Sequence, residues 1–389
     1  MKVAIVAVAY NRINSLSRLL SSLEKAYYEK DDKITLIISV DKSNTDEVEI
    51  YADKYNWDYG PKIVDKHKHN LGLRPHMMSL GKWFNDFDAL IILEDDIVVS
   101  PNFYSYSLKT IEKYHSCSDI AGISLYSFAT NYHTGNPFSP LKNEFDVYFM
   151  NCAMSWGEIW MKESWLKFYE WYLNNQEFTY TQTLPRSICS WNNKSWLKYH
   201  TRYCIEQNKY FVHPYISLST NFSDAGEHAD GNANTIYQVQ LQFGRKNEYI
   251  LPNFGTEGSY YDGFFENKSI YKIIEINEND LCIDLNGEWN NRLNKRFWIT
   301  TKKYNYKILR SYGLNYKPIE LNILYNNIGN DIFLYDTTIT EKNIFKKNKK
   351  DLLYLYNING IVYFIKKYEL KNIWYEITNI IKKKLLKNK

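Results

Sequence analysis

The first hundred residues contain four short apolar segments, separated by stretches with helical spacing or turn residues. The first segment, residues 3–8, is apolar throughout, which is typical of a parallel strand buried on both faces of a sheet. Further apolar segments lie at residues 34–40, 63–64 and 89–93. Between the first two, leucines share one helix face: Leu16, Leu19, Leu20 and Leu23. This order predicts an α/β fold, Rossmann-like, with a mostly parallel central sheet flanked by helices.

Three consecutive carboxylates, Glu94, Asp95 and Asp96, directly follow the fourth apolar segment. Open α/β sheets bind their ligands at this edge, outside the carboxyl ends of the strands. Adjacent carboxylates at the end of a buried strand repel each other, so a bound cation would stabilise them. Mg²⁺ and Mn²⁺ take one or two protein carboxylates and complete their shells with phosphate and water. An acidic surface turn is the alternative, but the position in the strand order favours a Mn²⁺ or Mg²⁺ site.

Several segments resemble those of the GT-A glycosyltransferases. The likeness lies in residues 3–12 (VAIVAVAYNR), residues 36–41, and residues 93–97 (LEDDI) with the following Ser-Pro-Asn-Phe. It is closest to the bacterial nucleotide-diphospho-sugar transferases and the N-acetylglucosaminyltransferase I-like group, and it covers residues 1–245. The resemblance implies a GT-A fold and transfer of a sugar from a nucleotide-sugar donor, with a UDP-sugar as the expected donor.

The same resemblance implies roles for individual residues at the strand ends. Asp96 would hold the metal, Glu94 and Asp95 would contact the donor sugar and ribose, and Asp41 would meet the nucleoside. Ala9, Tyr10 and Asn11 would line the nucleotide pocket, with Arg12 nearby.

Two further family-like segments lie outside the strand ends. Residues 71–74 (LGLR) match the segment after the third strand, where Arg74 could lie near the donor base or diphosphate; an ordinary surface arginine is the alternative. Residues 219–228 resemble the family's "SNIG…G.H" loop and end in His228. The resemblance implies that His228 completes the metal or diphosphate site, since imidazole binds Mn²⁺ and donates to phosphate.

The catalytic base is less clearly marked. Inverting relatives carry a carboxylate in a "W-D" helix start, but the corresponding stretch here has Asn192 and Asn193, and amides do not act as bases. Residues 154–160 (MSWGEIW) resemble the "WGWATW" segment, with Glu158 in place of its second Trp. Glu158 is therefore predicted as the base of an inverting reaction. The alternatives are an acid elsewhere (Glu206, Asp224 or Glu227) or a reaction that does not follow the inverting scheme.

The chain divides into three predicted parts: a catalytic domain at residues 1–245, a small α+β extension at 246–340, and a basic helical tail at 341–389. The last 48 residues hold 13 Lys against three acidic residues, a net charge of +10, so the rest carries −6 of the overall +4. Apolar residues recur there with helical spacing: Leu370, Ile373, Trp374, Ile377, Ile380, Ile381 and Leu385. Such a helix is suited to binding an anionic membrane surface. If it anchors the enzyme there, a lipid-linked saccharide is the expected acceptor. Packing onto the acidic body is the alternative, and nucleic-acid binding is not expected.

Five dispersed cysteines, no secretory leader and no long apolar run predict a cytoplasmic protein, peripheral on the inner face of the membrane. The expected function is metal-dependent sugar transfer to a saccharide or lipid-linked acceptor, in the synthesis of a bacterial surface polysaccharide or glycolipid. A sugar nucleotidyltransferase is a weaker alternative, since residues 9–14 lack the glycine-rich phosphate loop. A non-catalytic carbohydrate-binding scaffold stays open because the W-D acid is missing.

Overall fold

The computed structural model describes residues 1–30, 32–178, 181–222, 224, 237–289, 293–345 and 354–355. Its strands are β1 Val3–Ala9, β2 Thr35–Val40, β3 Lys62–Lys66, β4 Ala89–Glu94, β5 Ile97–Val99, β6 Ile120–Ser124, β7 Thr130–Asn131, β8 Asn136–Pro137, β9 Val147–Met150, β10 Glu158–Met161, β11 Tyr210–Pro214, β12 Ser219–Asn221, β13 Tyr260–Tyr261, β14 Leu281–Asp284, β15 Phe297–Thr300, β16 Tyr306–Tyr312 and β17 Ile332–Thr340. Its α-helices are α1 Ile13–Glu24, α2 Glu47–Lys54, α3 Leu73–Ser79, α4 Phe103–Tyr114, α5 Lys162–Asn174, α6 Arg186–Ser190, α7 Leu197–Glu206, α8 Ile270–Ile274 and α9 Leu321–Leu324.

The main sheet has the strand order β13-β9-β11-β6-β10-β4-β1-β2-β3. Strands β3, β2, β1 and β4 are parallel, β10 is antiparallel to both β4 and β6, and β11 is again parallel to β6. The predicted α/β architecture with a mostly parallel central sheet is confirmed. The parallel strands are apolar because both of their faces are covered.

Alternate residues of β1 face two separate cores, as strand geometry requires. Ile5 and Ala7 pack into the core that contains the leucines of α1, whereas Val6 and Val8 pack into the core that contains Phe168 of α5. The first core also holds buried residues of α2 and α4, and the second holds residues of α3 and α7. Helices on both faces leave the ends of the strands as the accessible part of the sheet.

A second, smaller sheet with the order β14-β15-β17-β16 forms a C-terminal lobe with its own core, which includes Ile270 and Ile299. Residues just beyond the predicted boundary at residue 245 contact the main sheet. Tyr249 and Phe254 pack against the first core, and β13 pairs with β9 of the main sheet. The main sheet therefore extends through β13, and apolar residues of the 246–261 segment cover its edge. The division of the chain into three parts stays a prediction.

The predicted basic helical tail lies almost entirely outside the described residues, which beyond residue 345 include only residues 354–355. In the described part of the chain, no helix is both long and apolar enough to cross a membrane.

Candidate active site

The candidate site lies at the edge of the main sheet where β1, β2 and β4 end. Ala9 pairs with Val40, the last residue of β2, and Val8 pairs with Glu94, the last residue of β4. Because these parallel neighbours end together, the residues that follow them meet at one edge. The sheet register therefore brings Asp41, which follows β2, and the acidic residues at the end of β4 to the same edge.

Asp41 is buried and anchors the loop that follows β3. Its Oδ1 accepts the backbone N–H groups of Lys42 and Leu71, and its Oδ2 accepts that of Gly72, all at 2.9 Å. Gly72 has a φ of 76°, in the left-handed region that favours glycine. Asp41 thereby fixes the backbone that leads into Arg74, and its contact with a nucleoside stays a prediction.

Arg12 neutralises part of the acidic strand end. Its guanidinium donates to both carboxylate oxygens of Asp95 and lies 3.6 Å from Oδ2 of Asp96. Burial raises the pKa of Asp95 to about 6, and Arg12 opposes that shift. Burial, together with the charges of Asp96 and Asp95, raises the pKa of Glu94 to about 8. Arg12 supplies one positive charge to three carboxylates, so the cluster favours a further cation.

Asp96 is the more open of the two aspartates: its side chain is 21% exposed, against 5% for Asp95. Across the described ranges, no three His, Cys, Asp or Glu side chains converge on a point where they could hold a metal ion. Mg²⁺ and Mn²⁺ often bind one or two protein carboxylates and take their remaining ligands from substrate phosphate and water. The residues present fit that mode, with Asp96 as the predicted ligand.

Strand β12 brings a later part of the chain to the same carboxylates. The Phe222 N–H donates to the Asp96 carbonyl at 2.8 Å, and the Arg18 guanidinium lies 3.7 Å from the centre of the Phe222 ring. Arg18 also forms an ion pair with Asp224. Phe222 and Asp224, which precede the 225–236 segment, therefore lie near the acidic strand end. His228 lies outside the described residues, and its role as a metal ligand stays a prediction.

The other residues predicted to bind the donor lie at the rim of this edge. Tyr10 is half-buried and Asn11 is exposed, directly after β1. Arg74 is half-buried in the first turn of α3, and its guanidinium lies 4.9 Å from the centre of the Tyr199 ring on α7. This cation–π contact ties α3 to α7, and a contact of Arg74 with the donor stays a prediction.

Glu158 lies inside the protein rather than at the rim. Its exposure is 0%, and its Oε1 is 3.1 Å from Nδ1 of His200, which is itself 1% exposed. Burial raises the pKa of the Glu158 carboxyl, and the neighbouring His200 opposes the shift. A general base must come within hydrogen-bond distance of the hydroxyl that it deprotonates. The burial of Glu158 therefore favours a structural or positioning role over the predicted base role.

The amides that replace the W-D carboxylate bind the protein itself. Oδ1 of Asn192 accepts the Lys194 N–H at 2.9 Å, and Oδ1 of Asn193 accepts a hydrogen bond from Nζ of Lys198 at 3.0 Å. Both amides therefore shape the loop that leads into α7. Among the alternative acids, Glu206 forms an ion pair with Arg202 in the last turn of α7, at 2.7 Å.

Trp156 occupies the rim beside this edge, whereas the other family-like tryptophans Trp160 and Trp165 are buried in the second core. The Trp156 ring lies 4.8 Å from that of Tyr126 and 4.9 Å from that of Tyr237.

His200, which lies beside Glu158, was not predicted from the sequence as a functional residue. The four-residue spacing of Trp196 and His200 at the start of α7 was the available signal, because it places both side chains on one helix face.

Comparison with known proteins finds one family match and several similar solved structures. Residues 4–169 match the model of glycosyl transferase family 2. Similar solved structures include TarS residues 1–349 of S. aureus in complex with UDP-GlcNAc (TM-score 0.40, 16% identity, covering 60% of this chain and 61% of that one). Another is the mannosyltransferase PcManGT of Pyrobaculum calidifontis in complex with GDP-Man and Mn²⁺ (TM-score 0.34, 9% identity, covering 55% and 57%). The chain thus spans about 60% of the TarS 1–349 structure. No curated protein sequence gives a significant match.

The family match, on a sheet with this strand order, identifies residues 4–169 as part of a glycosyltransferase domain of the GT-A fold. The enzyme class and the fold predicted from the sequence are confirmed. The placement in the N-acetylglucosaminyltransferase I-like subgroup stays a prediction.

Proposed function

We propose that the protein moves a sugar from a nucleotide-diphosphate donor, a UDP-sugar first among those to test, to a saccharide or lipid-linked saccharide acceptor. The observation that carries this proposal is the arrangement of Glu94, Asp95 and Asp96 beside Asp41 at the shared carboxyl edge of β1, β2 and β4. Ligands of open α/β sheets bind at this edge.

The donor would bind across the strand ends. Asp41 and the loop that it anchors would line the nucleoside pocket with Ala9, Tyr10 and Asn11. Glu94 and Asp95 would face the sugar and ribose, with Arg12 near the diphosphate. Asp96 and His228 would hold a divalent cation. This cation would neutralise charge on the diphosphate leaving group.

The acceptor proposal rests on the sequence of the tail. A cationic amphipathic helix would hold the enzyme at an anionic membrane surface, where lipid-linked saccharides are displayed. The product would then be a bacterial surface polysaccharide or glycolipid made at the inner face of the membrane. Truncation after Phe345 removes the tail but keeps β17 whole. The truncated protein should still release nucleoside diphosphate yet lose sedimentation with phosphatidylglycerol vesicles; unchanged sedimentation would contradict the anchoring proposal.

The donor proposal is tested by incubating the full chain with Mn²⁺ or Mg²⁺ and UDP-, GDP- and TDP-sugars. We expect release of nucleoside diphosphate from one of them, abolished by EDTA. Asp96→Asn should lower this release by at least about a hundredfold, the scale of losing electrostatic stabilisation of a leaving group. Asp119→Asn is the matched control, because Asp119 is an exposed aspartate whose side chain pairs with Lys209.

The alternatives give different products in the same assay. A sugar nucleotidyltransferase would form pyrophosphate from a nucleoside triphosphate and a sugar phosphate. A carbohydrate-binding scaffold would release nothing and would gain no thermal stability from a nucleoside diphosphate with metal. Either result would overturn the proposal.

A further inference from the structure

We propose that Glu158 is a positioning residue: paired with His200, it seats α7 on the sheet so that Trp196 holds Glu94 at the donor edge. This inference rests on the proposed function, because Glu94 is one of the residues assigned to the donor sugar. It gives Glu158 a part in the reaction that does not need contact with substrate.

The sheet supplies two carboxylates on one face. Glu158 of β10 pairs directly with Ile92 of β4, in antiparallel register. Glu94 lies two residues beyond Ile92 on the same strand, and alternate residues of a strand point to the same face. Glu158 and Glu94 are therefore diagonal neighbours on one face, the first within the core and the second at the edge of the site.

Helix α7 presents two matching side chains to that face. Trp196 immediately precedes the helix and His200 lies four residues later, a spacing that places both on one side. Nδ1 of His200 is 3.1 Å from Oε1 of Glu158. The Trp196 side chain favours the ionised form of the Glu94 carboxyl and so opposes the rise of its pKa that burial causes. The start of one helix thus faces both carboxylates: His200 is beside Glu158 within the core, and Trp196 is on the side of Glu94 at the edge of the site.

Aromatic rings hold the two contacts in place. Phe168 stacks on His200 with the ring centres 4.1 Å apart and the planes 20° apart. Trp160 meets Trp196 edge to face at 5.6 Å. Because the Glu158–His200 pair is enclosed, removing either partner would leave the other polar group buried without its counterpart. The position of α7 is therefore sensitive to this pair, and the position of Trp196 follows from it.

The test compares Glu158→Gln, His200→Gln and Trp196→Phe in the full chain with the best nucleotide sugar. Each should lower kcat/KM for the nucleotide sugar roughly tenfold, the size of one hydrogen bond to a charged group. The double variant Glu158→Gln/Trp196→Phe should have the same kcat/KM as the less active of the two single variants. The losses should not add, because both changes interrupt one chain of contacts. The metal-dependent Kd for the nucleoside diphosphate, which lacks the sugar, should stay within twofold in every variant.

Trp171→Phe is the matched control, because Trp171 lies on α5 beside Phe168 and Tyr203; it should keep the wild-type kcat/KM. Trp196→Phe also secures the test if Glu158→Gln does not fold, since it removes the indole N–H but keeps an aromatic ring at this buried position. A loss of kcat above a thousandfold in Glu158→Gln, with Trp196→Phe unaffected, would restore Glu158 as the base and overturn the inference. Additive losses would overturn it as well. An inactive wild type would instead defeat the proposed function.

Discussion

The Arg12 guanidinium lies 3.6 Å from the Asp96 carboxylate while it donates to both oxygens of Asp95. The residue predicted to hold a metal ion is thus next to a cation that belongs to the protein. Since like charges repel, Arg12 and a divalent ion oppose each other at Asp96. Arg12 should therefore set how tightly the enzyme binds metal before the donor arrives.

Arg12→Gln should tighten Mn²⁺ binding, measured without nucleotide by electron paramagnetic resonance. The side chains of Arg12 and Asp96 are 26% and 21% exposed, so the expected gain is small, about two- to fivefold in Kd. Arg18→Gln is the control, since Arg18 pairs with Asp224 instead. A Kd for Mn²⁺ that stayed equal or weakened in Arg12→Gln would contradict this reasoning.

Asp41→Asn should loosen the loop at residues 71–72. An amide offers one acceptor oxygen, so at least one of the N–H groups that now meet Asp41 would face an NH₂ group instead. The expected cost is about 1–3 kcal/mol at this loop, seen as a several-fold weaker Kd for nucleoside diphosphate in isothermal titration calorimetry. Asp46→Asn, an exposed aspartate that pairs with Lys42, should leave this Kd unchanged. Equal affinities of both variants would show that the loop does not shape the nucleotide pocket.

The strand ends were predictable from the sequence because apolar segments locate buried parallel strands, and parallel neighbours end at one edge. Asp41 and Glu94 could therefore be placed together before any coordinates were known. The surroundings of Glu158 could not. Its face depends on the antiparallel pairing of β10 with Ile92, and a shift of one residue would have turned Glu158 to the other side.

The packing of residues 246–261 against the main sheet could not be predicted for a related reason. Residues 246–261 form only the two-residue strand β13, so their sequence has little strand periodicity. Their position follows from long-range packing of Tyr249 and Phe254 against the first core, which no local pattern encodes.

Gly157 should be intolerant of a side chain. It has a φ of 95°, and a Cβ there would lie 2.9 Å from Oγ of Ser219 and 3.1 Å from Cβ of Leu125. Gly157→Ala should therefore lower the melting temperature and displace Trp156 at the rim of the site, at a cost of about 1–3 kcal/mol from the backbone alone. Gly135→Ala separates the two effects, since Gly135 has a φ of 75° but no atom within 4 Å of its Cβ position. Equal destabilisation in both variants would assign the effect to backbone conformation only.

His213 should make the fold sensitive to acid. Its ring is buried between Tyr148 and Phe128, and its nitrogens face the carbonyls of Tyr126 and Cys152 at 3.2 and 3.0 Å. Burial lowers the pKa of His213 to about 4, although both carbonyls oppose the shift. The unfolded chain then takes up a proton near the ordinary histidine pKa of about 6.5, where the folded protein does not. The stability contributed by neutral His213 is present above that pH and is lost as the pH falls from about 6.5 through about 4.

His213→Gln should flatten this part of the profile, measured as the free energy of urea unfolding at several pH values between 7 and 4. The variant should be less stable than the wild type at pH 7, because Gln does not fill the space of the ring. The difference should narrow as the pH falls, by at most about 1.4 kcal/mol per pH unit for a single proton. His115→Gln replaces an exposed histidine and should follow the wild-type slope. Parallel profiles for wild type and His213→Gln would show that His213 is not the group that takes up the proton.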